Sequence, residues 1–153
     1  MFSLLSPDRW LRLKIWIPPI GWAALIFVFS SDILSGSNTS GILGPLLHYF
    51  LGLSSHDAEL VHVFIRKLGH FGEYFVLALL IMRALRQETR EKLSRRQLAL
   101  GLALTALYAI SDELHQALVP SRSASGIDVL IDVFGGFCGT LWFYLRHLGK
   151  NSL

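Results

Sequence analysis

The residues with chemistry to offer stand inside or beside stretches that are otherwise apolar: Arg66, Lys67, His70, Glu73, Asp112, Glu113, Arg122, Asp128 and Asp132. Asp112, Glu113 and Asp128 can supply a general base, with His70 as acid and Arg122 stabilising developing charge. The same three carboxylates can instead hold Mg²⁺ or Ca²⁺ through oxygens. Arg122 has serines on both sides and Ser125 just beyond, a setting suited to bidentate recognition of phosphate or carboxylate. Lys67 adds a point charge and His70 a titratable donor. Helical spacing favours convergence: Lys67, His70 and Tyr74 stand at i, i+3 and i+7, and Asp112 and Gln116 at i and i+4. Asp128, Asp132, Gly135, Gly136 and Gly139 make a further stripe that contains G-x-x-x-G, which permits close helix approach.

The elements that carry these residues follow from hydropathy. Of 153 residues, 52% are hydrophobic and 16% charged, and the mean hydropathy is +0.49. No Lys or Arg occurs between Lys14 and Arg66. A helix needs about 20 largely apolar residues to cross a bilayer. Four segments qualify, at about 15–31, 60–85, 97–118 and 127–146. None alternates with period 2 in the manner of barrel strands. The expectation is an all-α polytopic membrane protein, a four-transmembrane-helix bundle forming a single domain over 1–153. Pro18 and Pro19 are expected in the first turn of the first span, where missing amide donors cost least. In the loop that follows, Leu46 to Leu51 reads either as a short interfacial helix or as a loop packed over the bundle.

Eleven of the fourteen Lys and Arg residues lie in the N-terminal tail, the second loop and the C-terminus. The positive-inside bias places those segments and both termini in the cytoplasm. The nine ionisable residues named first then fall in the outer half, as one outward-facing polar cluster. An uncleaved first span is expected, because no A-x-A site follows it. A basic nucleic-acid-binding tail is excluded by composition. The lone Cys138 excludes a disulfide framework. There is no C-x-x-C, H-E-x-x-H, G-x-G-x-x-G or P-loop, and His48, His56 and His62 are not expected to form a zinc site.

At these residues the chain resembles the VanZ-like membrane protein family. The resemblance rests on Phe29-Ser30-Ser31, on K-x-x-H-x-x-x-Y at Lys67, His70 and Tyr74, and on one long string. That string runs D-E-x-x-Q at Asp112, Glu113 and Gln116, P-x-R at Pro120 and Arg122, S-x-x-D at Ser125 and Asp128, then Gly135 and Gly139. Two departures matter: Asp32 stands where the family often has Gln, and Asp132 where it often has Asn. The resemblance implies a small protein of the bacterial cytoplasmic membrane, and the founding member is associated with resistance to the lipoglycopeptide teicoplanin.

Three functions remain open from sequence. The first is an outward-facing site for an anionic lipid-linked or lipidated cell-envelope ligand, with Lys67, His70, Tyr74, Gln116, Arg122 and Ser125 as ligand-binding residues. The second is a membrane-embedded hydrolase of a lipid phosphate or pyrophosphate, with Asp112, Glu113, Asp128 and His70 as catalytic candidates. Against it, the chain lacks the K-x6-R-P and P-S-G-H strings of lipid phosphatases. The third is a proton-coupled carrier, which four spans without an inverted repeat disfavour unless the protein is a homodimer. The expected partners are membrane lipids and that ligand, with no nucleic acid. No cofactor is expected beyond a divalent cation at the carboxylates.

Overall fold

A computed structural model of the chain describes residues 7–31, 36–89, 93–120, 122 and 124–148. Asp32, Arg90, Lys92, Ser121, Ser123 and Lys150 lie outside the described residues. Five helices follow one another: α1 (Pro7–Phe29), α2 (Gly36–Leu51), α3 (Ser55–Thr89), α4 (Arg95–Gln116) and α5 (Gly126–Leu148). Among the described residues there are no strands, and the all-α membrane class stands.

Three of the helices, α1, α3 and α5, are long and apolar enough to cross a membrane. At 22 residues α4 has the length but not the composition, because Arg95 and Arg96 open it and Asp112 and Glu113 stand near its end. Exposed Ile17, Ile20 and Phe27 on α1, Phe64 and Leu68 on α3, and Leu130, Phe134 and Leu145 on α5 give the bundle an apolar exterior. Water would make that surface an aggregation site, whereas lipid is its natural solvent.

Two expectations about the helices need correction. Pro18 and Pro19 are interior to α1 rather than in its first turn, because the helix begins at Pro7. Arg9, Arg12 and Lys14 of the basic tail lie within this helix. The first loop holds a full helix of 16 residues instead of a turn or two around Leu46. Its Ile42, Leu46, Tyr49, Phe50 and Leu51 are exposed, a pattern that suits a bilayer interface. Gly52, at φ +64°, closes α2 in the left-handed conformation that glycine tolerates best, and its amide donates to His48 O at 3.0 Å.

With 35 residues, α3 is the mast of the bundle, about 52 Å long. It packs on each of the other four helices and most extensively on α5. That closeness depends on Gly135 and Gly139. A Cβ at Gly135 would collide with the Phe71 carbonyl oxygen, and one at Gly139 with that of Phe75. The core around them is Ile26, Tyr74, Leu77, Met82 and Ala109. Ser94 starts α4 with a reciprocal cap, its amide donating to Gln97 Oε1 at 2.8 Å and its hydroxyl accepting from the Gln97 amide at 3.2 Å.

Gly135→Val and Gly139→Val should each lower stability by about 1–3 kcal/mol through overpacking, read as a lower thermal midpoint in detergent. Gly41→Ala, which has nothing within 4 Å of its added carbon, should not.

Candidate functional site

At one end of the bundle the last turn of α1, the first half of α3, the last turns of α4 and the first turns of α5 meet. The ionisable residues gather there, but they divide into separate contacts. Lys67 Nζ donates to Asp128 Oδ1 at 2.8 Å. His70 Nδ1 lies 3.1 Å from Asp132 Oδ1, and the Asp132 side chain is wholly buried. Asp112 accepts at Oδ2 from the Ser30 hydroxyl at 2.8 Å and from Gln116 Nε2 at 3.0 Å. Glu113 Oε1 accepts from the Ser125 amide, which ties the end of α4 to the approach of α5. Each contact crosses between elements or closes a turn, as buried charge in an apolar medium requires.

Arg122 is turned to backbone. Its Nη2 donates to the carbonyls of Phe29 and Ser31, and its Nε to Ser31 at 3.3 Å. Carbonyls at the end of a helix have no intrahelical partners, so the guanidinium of a distant link caps α1. Tyr74 is fully buried in the core. Its ring lies 6.1 Å from that of Tyr108, and its hydroxyl has no hydrogen-bond partner among the described residues. The same holds for Asp112 Oδ1, Glu113 Oε2 and Asp132 Oδ2.

Beside these contacts lies a cavity of about 360 Å³. Its polar lining includes Arg66, His70, Glu73, His62 and Arg122, and its apolar lining Phe29, Ile42, Leu43 and Ile65. Of the six residues expected to bind ligand, His70 and Arg122 reach it, whereas Lys67, Tyr74, Gln116 and Ser125 do not line it. Sequence reasoning missed Arg66, Glu73 and His62 as lining residues. The signal was present, since His62, Arg66, His70 and Glu73 repeat at i, i+4, i+8 and i+11, one turn apart along a single face. Arg66 belongs to none of the ion pairs among the described residues, which are Arg12–Glu88, Lys67–Asp128 and His70–Asp132. No group of three or more His, Cys, Asp or Glu among the described residues is placed to hold a metal ion.

The sequence matches the VanZ/LLP1 family over residues 15–147. The chain belongs to that family. The matched stretch begins inside α1 and ends one residue short of the end of α5, so the cavity and every contact above except Arg12–Glu88 lie within the VanZ/LLP1 region. No curated protein and no solved structure shows a significant match to the chain.

Asp112→Ala should cost about 1–3 kcal/mol, because the Ser30 hydroxyl and the Gln116 amide both lose a buried acceptor. Lys67→Met should cost about 1 kcal/mol or less, since that lysine side chain is 39% exposed. Thermal unfolding of the two variants in one detergent gives the comparison, and equal losses would contradict this ordering.

Proposed function

We propose that this VanZ/LLP1 protein sits in the bacterial cytoplasmic membrane as one domain with both termini inside. Its cavity takes the anionic headgroup of a lipid-linked or lipidated cell-envelope ligand. The observation that carries the reading is Arg66. It is a guanidinium lining a membrane-embedded cavity, without an ion-pair partner among the described residues. A cation so placed gains most from an anion that supplies both charge and hydrogen-bond acceptors. Phosphate and carboxylate do both.

The apolar part of the lining supports the second half of the proposal. Phe29, Ile42, Leu43 and Ile65 offer apolar surface to an acyl or prenyl chain in the same cavity whose polar residues take the headgroup. Lys67 is already engaged by Asp128, so Arg66 is the better anion contact. A role in lipoglycopeptide resistance fits the same cavity, with a fatty chain against the apolar lining and an acidic group on Arg66. The orientation rests on the Lys and Arg distribution, which puts the cavity on the outer side.

Purified protein offered a polyprenyl phosphate and phosphatidylglycerol should retain one of them in native mass spectrometry. Arg66→Ala should weaken that retention about tenfold or more, and Lys67→Met should leave it near wild type. Retention untouched by Arg66→Ala would refute the role given to this residue. For the orientation, in a Cys138→Ala background, cysteines placed at Ser37 and Ser123 should label from outside and one at Ser94 only from inside. External labelling at Ser94 would overturn the topology.

A further inference from the structure

We infer that the cavity hydrolyses the ligand class it binds, taken more narrowly as a lipid diphosphate, with His70 as the base and Asp132 as the residue that positions it. The inference rests on the binding reading above. A carboxylate on one ring nitrogen of a histidine fixes both tautomer and ring orientation. Asp132 Oδ1 stands 3.1 Å from His70 Nδ1 and is held on α5 with its side chain wholly buried. That contact puts the hydrogen on Nδ1 and leaves Nε2 as the acceptor. Nε2 has no hydrogen bond among the described residues, and His70 lines the cavity.

The other groups divide the remaining work. Arg66, one helical turn before His70 on α3, would hold the terminal phosphate beside the histidine. His62 also lines the cavity, but its Nε2 is 2.9 Å from the Thr39 hydroxyl and its Nδ1 has no partner among the described residues. His70 is therefore the lining histidine with a carboxylate orienter. The cavity's size, about 360 Å³, falls in the range of small-ligand sites, about 300–1,000 Å³.

A diphosphate suits this inventory better than a phosphate monoester. Its leaving group departs as a phosphate and needs no proton in the step, and Glu73, the carboxyl that lines the cavity, has no side-chain hydrogen bond among the described residues to orient it as an acid. In the reaction a water oxygen bonds to the terminal phosphorus while one water proton passes to His70 Nε2. The bond from that phosphorus to the bridging oxygen breaks, and its electron pair stays on the oxygen. The products are a lipid monophosphate and orthophosphate, and His70 returns its proton to bulk water.

The test uses the full chain in detergent with farnesyl diphosphate and Mg²⁺ in the buffer, following orthophosphate release and, by native mass spectrometry, retained lipid. Wild type should release orthophosphate. His70→Gln and Asp132→Asn should lower kcat by about 100-fold with KM little changed, and both should still retain intact farnesyl diphosphate. Asp132→Asn keeps the shape of the site, so it carries the test if His70→Gln fails to fold. Its amide can donate to Nδ1 and reverse the tautomer, an effect on turnover that a packing role would not produce. Intact lipid retained by wild type with no orthophosphate released would overturn hydrolysis and leave binding standing. Failure of wild type to retain the lipid would overturn both. Undiminished release by both variants would overturn the assignment of His70 and Asp132.

Discussion

An ionised group surrounded by hydrocarbon has no solvent to answer it, so it must find its partner within the chain. The arrangement of the bundle follows from that demand. Lys67 reaches Asp128, His70 reaches Asp132, and Asp112 draws in Ser30 and Gln116. These contacts join α3 to α5 and α1 to α4, so the polar end of the protein is cross-linked by the groups that cost most to bury. Such pairs add little stability beyond what well-packed apolar residues would give. Their use is registry, because each fixes which turn of one helix lies beside which turn of another.

The opposite device acts toward the middle of the bundle. There the absence of side chains at Gly135 and Gly139 lets α5 approach the carbonyls of Phe71 and Phe75 on α3. Dispersion and close packing hold membrane helices together where the hydrophobic effect offers little. Polar pairing and glycine packing thus act on the same two helices. Both sit on the stripe that runs from Asp128 to Gly139 along α5.

Much of this was legible in the sequence. The apolar stretches gave α1, α3 and α5, and the stripe of carboxylates above glycines on α5 identified an inward face. The i, i+4 spacing of Asp112 and Gln116 anticipated their hydrogen bond. What spacing could not give was the choice among faces of α3. Arg66 and Lys67 are adjacent in sequence yet diverge by about 100° around the helix, and only the positions of α2 and α5 decide which meets a carboxylate and which a cavity. The length of α2 was hidden for a related reason. Its first turns are Ser, Gly, Asn and Thr, residues whose local preference is for turns and caps, and the helix is supported by packing on α3.

The cap that Arg122 places on α1 has a consequence for how the chain is made. The carbonyls of Phe29 and Ser31 and the guanidinium that satisfies them are more than ninety residues apart. During synthesis α1 enters the membrane first, while the partner for its last turn has not been translated. Its buried Ser30 likewise waits for Asp112. The first helix can pack on α3 before then, but the carbonyls that close it wait for Arg122, so a nascent or truncated chain that ends before the α4–α5 link presents an uncapped helix end.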